Sequence, residues 1–281
     1  MDNRPIGVYD SGFGGLTILR AVRDRLPDES FIYLGDGLNC PYGGRAKDEI
    51  RGFAFAAVER LLAEGCKMIV VACNTATAAA IEQLRAEYPE VDFVGVEPAV
   101  KPACLATKSG IVGVLATQSS IDGDMFHRTA SKYSAGIRVI AHSGDGFVEI
   151  VEQSLEESPE AEEAVRRVVL PMVEEGVDQI VLGCTHYPFL LPLLRRIAPE
   201  VNIIDPSPAV AKRVEELLES GGTRAESGGT RAESGGTRAE SGGTRAESGG
   251  TRAENDARSS CRFITFADDE YRDALQRKAE R

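Results

Sequence analysis

Cys73 and Cys184 occupy matching contexts in this chain of 281 residues. Cys73 follows Met68-Ile-Val-Val-Ala72 and precedes Asn74-Thr75, and Cys184 follows Gln179-Ile-Val-Leu-Gly183 and precedes Thr185-His186. A short β-branched run, a small residue, a thiol and then polar residues read as a buried parallel strand ending in a polar turn into a helix. Open α/β sheets bind ligands at the carboxyl ends of their strands. Two thiols from equivalent strand ends can face one ligand from opposite sides. That layout suits removal of a proton from one face of a carbon and return of a proton to the other.

A thiol serves as both base and acid when its pKa lies near the working pH. A free cysteine titrates near 8.5. Unpaired N–H groups at a helix N-terminus favour the thiolate, and lowering the pKa by about one and a half units takes roughly 2 kcal/mol. Each cysteine alone could be an inert core residue, since buried Cys is common. Their equivalent placement, each followed by polar residues, favours chemistry.

The equivalence extends beyond the thiols. Gly7-Val-Tyr-Asp-Ser11 has a counterpart in Gly113-Val-Leu-Ala-Thr117, and Val96-Glu-Pro98 in Ile204-Asp-Pro206. The three anchors keep their order at a spacing of about 105–110 residues, which predicts two similar α/β halves. In the first half, strands are expected at Ile6–Tyr9, Phe31–Leu34, the Cys73 run and Phe93–Val96. Helices are expected to about Leu26, over Asp48–Glu64 and from Thr75 to about Tyr88. In the second, strands at 111–115, 137–140, the Cys184 run and 201–204 alternate with helices near 122–133, 159–174 and 188–197. Arg262–Phe266 reads as a last strand and Glu270–Arg281 as a last helix. Such alternation implies parallel sheets covered on both faces. The expected fold is therefore two similar parallel-sheet α/β domains with the active site between them. Residues 1–97 with 207–281 form the first domain and 98–206 the second.

A net charge of −12 disfavours nucleic acid and anionic membranes as partners. No apolar run is long enough to span a bilayer, and Met1-Asp-Asn-Arg-Pro5 leads into a strand without a secretory core. The six cysteines (40, 66, 73, 104, 184 and 261) show no paired spacing, so a reducing, cytoplasmic setting is expected and no structural zinc. A homodimer is compatible with the sequence.

From Ser220 to Glu254 the heptapeptide Ser-Gly-Gly-Thr-Arg-Ala-Glu repeats five times without change. The absence of apolar a and d positions excludes a coiled coil. Two glycines per copy disfavour helix and strand. Each copy carries one Arg and one Glu, so the net charge belongs to the rest of the chain. A disordered insertion of this length would span roughly 30–35 Å on average. It is expected to be an inert expansion of a surface loop.

Asp10-Ser-Gly-Phe-Gly-Gly-Leu-Thr17, Pro41-Tyr-Gly43, Ala72-Cys-Asn-Thr-Ala76 and Leu182-Gly-Cys-Thr-His-Tyr-Pro188 together resemble the glutamate racemases of the aspartate/glutamate racemase family. The resemblance covers nearly all of the chain except the repeats. It implies a cofactor-independent enzyme that interconverts L- and D-glutamate and supplies D-glutamate for peptidoglycan. It further implies that Cys73 deprotonates D-glutamate and Cys184 L-glutamate, with a carboxylate near each thiol. Asp10 fits the first carboxylate and Glu152 the second, with Glu149 as the alternative. His186 would tune or assist Cys184. The plainer readings are a helix N-cap for Asp10 and a structural histidine or a Cys-x-His metal ligand for His186.

Ser11, Asn74, Thr75, Thr117 and Thr185 all fall at strand-end turns, where helix N-termini and hydroxyls suit the two carboxylates of glutamate. The loop Pro41-Tyr42-Gly43 could close over a ligand. The chain departs from the family pattern at Gly37-Leu38-Asn39-Cys40, where Thr or Ser is expected after Gly-Asp, and Cys40 has no role there. Gly12-Phe-Gly14-Gly15 fails the dinucleotide fingerprint because Thr17 stands where its last glycine belongs. None of the seven lysines stands out as a Schiff-base residue. A racemase for a related amino acid such as aspartate is the nearest alternative. A Cys184–His186 hydrolase and a two-lobed binding module without chemistry are the readings from other classes.

Overall fold

The computed structural model describes residues 2–133, 136–222 and 260–280. The chain begins with β1 (Ile6–Asp10), α1 (Leu16–Arg25), β2 (Phe31–Gly35), α2 (Lys47–Ala63), β3 (Met68–Val71), α3 (Asn74–Glu87) and β4 (Asp92–Gly95). After α4 (Val100–Ala106) come β5 (Ile111–Ala116), α5 (Gln118–Ile121), α6 (Asp124–Tyr133), β6 (Arg138–Ser143), α7 (Phe147–Glu152), α8 (Pro159–Glu174) and β7 (Gln179–Gly183). A 3₁₀ turn at Tyr187–Leu190 leads into α9 (Leu191–Ile197) and β8 (Asn202–Ile204). The chain then runs through α10 (Ser207–Gly221), β9 (Cys261–Thr265) and α11 (Asp269–Ala279).

All strand pairings are parallel, and they form two sheets, β4-β3-β1-β2-β9 and β6-β5-β7-β8. With β5 set against β1, β6 against β2, β7 against β3 and β8 against β4, the two orders are the same. The repeated anchors thus reflect repeated topology. β1, β2, β3 and β7 are buried along their whole length, as parallel strands covered on both faces require. In the first sheet, Leu19, Val22, Val214 and Leu218 from α1 and α10 cover one face. Ala54, Val58, Leu61, Ala80 and Leu84 from α2 and α3 cover the other. Each fully buried Leu or Val contributes about 1.5–3 kcal/mol.

Three short helices, α4, α5 and α7, lie where the sequence predicts none. At four to seven residues each they hold too few turns to show a 3.6-residue period. The helix expected over 188–197 divides into the 3₁₀ turn and α9, each with a proline in its first turn. Proline supplies no N–H and fits that position.

The expectation of a disordered insertion over 220–254 needs correction at its start. Ser220 and Gly221 still belong to α10, and Gly222 closes the helix at φ +65°, the left-handed C-cap that glycine adopts without cost. The remaining repeat residues, from Thr223 on, lie outside the described residues. Beyond them, β9 pairs with β2 from Phe31↔Cys261 to Gly35↔Thr265, so the last strand returns to the first sheet. From there α11 reaches the second half of the molecule: the Lys278 ammonium donates to the Val151 carbonyl and to Glu156.

Candidate active site

β1 and β3 both end beside the start of a helix, and this places Asp10, Ser11 and Cys73 together. Cys73 is the residue before α3. Its sulfur accepts from the Ala76 N–H at 3.4 Å and lies 3.6 Å from Ser11 Oγ. Asp10 is wholly buried and accepts from the Gly12 N–H at 2.9 Å and the Thr185 hydroxyl at 3.0 Å. It does not cap α1, which has no side-chain cap, so the N-cap reading of Asp10 falls.

In the second half, β7 ends at Gly183, and Cys184, Thr185 and His186 follow. His186 Nδ1 lies 3.8 Å from Cys184 Sγ, and Nε2 lies 2.6 Å from Glu152 Oε1. Glu152 ends α7 and also accepts from the Phe13 N–H at 2.7 Å and the Tyr271 hydroxyl at 2.9 Å. Of the two candidate carboxylates, Glu152 is the one that reaches His186. Glu149 lines a separate cavity of about 200 Å³ with Pro41, Gly43, Thr117 and Tyr187.

The glycines of the first turn allow the halves to meet. A Cβ at Gly12 would fall 2.2 Å from Glu152 Oε1, and one at Gly14 would fall 2.4 Å from Thr185 Oγ1 and 2.5 Å from His186 Nδ1. Close approach of side chains to backbone, rather than phosphate binding, accounts for this Gly-rich turn.

The electrostatics are set by burial. Burial pushes the Cys73 thiol up to about 12, and the Asp10 carboxylate adds to this against the N–H of Ala76 and the hydroxyl of Ser11. The expected lowering of Cys73 by the helix N-terminus is therefore overruled, because desolvation of a thiolate exceeds the gain from one N–H. Burial also raises Asp10, against His186, the N–H groups of Gly12 and Gly15, and Thr185. Burial disfavours charge on His186, but its hydrogen bonds to Cys184, Cys40 and Glu152 prevail and hold it well above its ordinary value. Burial works against Glu152 as well, yet His186, Phe13 and Tyr271 keep it below the usual carboxylate value.

The expected substrate-binding residues divide into groups. Thr75, Thr117 and Ser120 form a triangle of hydroxyls with edges of 3.1, 3.3 and 2.9 Å, joining α3 to the β5–α5 turn. Asn74, next to Cys73, is buried with both side-chain amide atoms lacking a hydrogen-bond partner. A buried amide without a protein partner is rare and points to a ligand. The Tyr42 hydroxyl is not available: it donates to Asp36 at 2.6 Å and lies 2.7 Å from the Tyr9 hydroxyl. Pro41 and Gly43 border the second half, with the Gly43 carbonyl accepting from Ser119.

Sequence reading missed Ser120, Tyr271 and the Phe13 N–H. Ser120 carried a signal, since Thr117-x-x-Ser120 is the spacing of a helix cap, and Thr117 does cap α5. Tyr271 carried none. It also stacks on Phe13 at 4.9 Å, and only the return of β9 brings it there. Cys40, without a role in the sequence, lies beside His186 and Glu152.

Two duplicated parallel sheets, with a cysteine just beyond the same strand of each, Ser11 beside one and the His186–Glu152 pair beside the other, define an isomerase of the racemase class. The chain belongs to the Asp/Glu/Hydantoin racemase family, whose sequence profile matches residues 16–214. It is 49% identical over 220 residues to a glutamate racemase of Roseiflexus sp., covering 78% of this chain and 81% of that one. Its fold is similar to a glutamate racemase isoform from Bacillus anthracis (TM-score 0.78, 28% identity, 99% and 94% of the two chains). It is also similar to a glutamate racemase from Francisella tularensis solved with D-glutamate (TM-score 0.79, 25% identity, 100% and 95%).

Proposed function

We propose that this enzyme interconverts L-glutamate and D-glutamate with Cys73 and Cys184 as the acid/base groups on opposite faces of Cα. The carrying observation is the position of the two thiols, each just beyond topologically equivalent strands, β3 and β7. One thiolate takes the Cα proton and becomes a thiol. The opposite thiol then gives its proton to the other face of the carbanion and becomes the thiolate. Cys73 serves D-glutamate and Cys184 L-glutamate, as the resemblance implies.

Asp10 is the charged partner on the Cys73 side, and an incoming ammonium would offset the carboxylate that disfavours the Cys73 thiolate. His186, held by Glu152, is the partner on the Cys184 side. The unpaired Asn74 amide, with Ser11, Thr75, Thr117, Thr185 and the N-terminus of α3, offers donors for the substrate's two carboxylates. No cofactor is required by this scheme.

We place the enzyme in the cytoplasm, supplying D-glutamate for peptidoglycan; the free cysteines among the described residues suit a reducing compartment. Among the described residues no helix is long and apolar enough to cross a membrane. A division into residues 1–97 with 207–281 and 98–206 follows the two sheets and the packing of α10 on the first.

Circular dichroism of pure L- or D-glutamate, incubated with protein dialysed against chelator, tests the function. Both enantiomers should decay to the same zero signal while aspartate is unchanged. Racemisation of aspartate alone, or activity that appears only on adding a metal or pyridoxal phosphate, would overturn the proposal.

A further inference from the structure

We propose that Cys40, His186 and Glu152 form a binding site for a thiophilic divalent cation of the zinc class, and that filling it arrests the enzyme. The Cys40 sulfur, a His186 ring nitrogen and a Glu152 carboxylate oxygen all lie within 4.8 Å of one another. Among the described residues this is the one such grouping of three. The donors converge from three separate segments: the loop between β2 and α2, the end of α7 and the turn after β7. A Cβ at Gly12 would lie 3.1 Å from Cys40 Sγ and closer still to Glu152, so a glycine there lets the three donors face one another.

Sulfur, imidazole nitrogen and carboxylate oxygen are the donors that zinc takes. Three protein ligands leave a fourth position for water or a substrate carboxylate. A tetrahedral zinc holds such donors about 3.3–3.6 Å apart, so the His186–Glu152 pair, now at 2.6 Å, has to open by about 0.7 Å while the Cys40 sulfur, within 4.8 Å of both, moves in by about 1 Å. Glu152 is already oriented by the Phe13 N–H and the Tyr271 hydroxyl, the outer support that metal-binding carboxylates commonly have. Cys40 and Glu152 are only half-buried, which gives a cation a way in. The racemisation scheme makes no use of Cys40.

Coordination through Nε2 replaces the hydrogen bond between His186 and Glu152. The proton held there and the thiol proton of Cys40 pass to solvent. The metal then fixes the ring whose other nitrogen faces Cys184. The arrest of turnover rests on the function proposed above, whereas cation binding does not.

Cobalt chloride, as a spectroscopic probe, and zinc chloride, as an inhibitor, test the site in thiol-free buffer. Wild type, Cys40→Val and Cys40→Ser are compared, with melting curves to show that each variant is folded. In wild type, cobalt should give a thiolate-to-metal charge-transfer band. Zinc should inhibit, and chelator should restore activity. In both variants the band should vanish, and zinc inhibition, read against each variant's own turnover without metal, should weaken by about tenfold or more. An equal band and equal zinc sensitivity in the variants would put the metal on the Cys73 or Cys184 thiol and overturn the proposal, as would the absence of both effects in wild type. A cobalt band lost in the variants, from protein that racemises nothing, would uphold the site and refute the enzymatic reading instead.

Discussion

His186 and Glu152 meet at 2.6 Å, and the far side of the same imidazole faces the Cys184 sulfur at 3.8 Å. The two groups titrate in opposite senses. Glu152 is held below its ordinary value of 4.5, so its contribution to stability is present above about that pH and is lost as pH falls through its folded value. His186 is raised well above 6.5, so its contribution is complete below that pH and is lost as pH rises through its folded value. Both contributions coexist between about 4.5 and 6.5. The variant His186→Asn should therefore melt lower than wild type, by about 2–4 °C for each kcal/mol lost. The gap should be widest in that window and should narrow on either side. Melting curves from pH 4 to 9 check this (~4–9, bracketing both ordinary values), and a gap that does not vary with pH would refute the charged pair.

Cys73→Ala and Cys184→Ala should each abolish racemisation, because each removes the proton carrier on one face. A turnover of about 10 per second corresponds to a barrier of about 16 kcal/mol, which little chemistry crosses without a positioned base. Exchange in heavy water separates the two faces. Cys184→Ala should retain more exchange of the D-enantiomer's Cα proton, and Cys73→Ala more of the L-enantiomer's. Near-normal turnover in either variant, in both directions, would exclude a two-thiol mechanism.

The residues that were legible in the sequence sit in contiguous motifs at strand ends. A buried β-branched run ending in Cys fixes where the thiol emerges, so Cys73, Cys184, Asp10 and His186 could be placed before any contact was known. Contacts made only by tertiary return were not legible. Tyr271 reaches Glu152 across 119 residues of chain, and nothing in the pattern of α11 marks that face. Cys40 was visible as a departure, but its neighbours come from the other sheet. The short helices α4, α5 and α7 were missed because fewer than two turns give no periodicity. The raised Cys73 thiol was missed because a strand-end position reports the helix N–H groups but not the depth of burial.

Gly14→Ala should damage activity more than a single methyl suggests. The new Cβ would stand about 2.4 Å from Thr185 Oγ1 and 2.5 Å from His186 Nδ1, well inside contact distance. Overpacking of this kind costs about 1–3 kcal/mol. Here it pushes apart the two segments that carry Asp10 and Cys184. A fall in turnover of tenfold or more (about 1.4 kcal/mol per factor of ten) with the fold retained is the expected result. The variant Gly44→Ala is the control, because a Cβ there meets nothing within 4 Å. Equal activity in the two variants would show that the halves do not need this close approach.

Shortening the five heptapeptide repeats to one should leave fold and turnover intact. The segment has no apolar side chain larger than alanine, so no core contact is lost with it. The elements on either side are anchored independently. α10 packs Val214 and Leu218 into the first core. β9 pairs with β2, and the Phe31 N–H donates to the Ser260 carbonyl at 2.8 Å where the described chain resumes. Removing 28 of the 39 residues that connect α10 to β9 reduces the closure entropy by about 1 kcal/mol. Turnover should be unchanged and the melting temperature equal or up to about 4 °C higher. Because Tyr271 and Lys278 follow the repeats and touch the second half, a misplaced return would show first as lost activity. A variant that is folded but inactive would mean that the length of the insertion sets the position of α11.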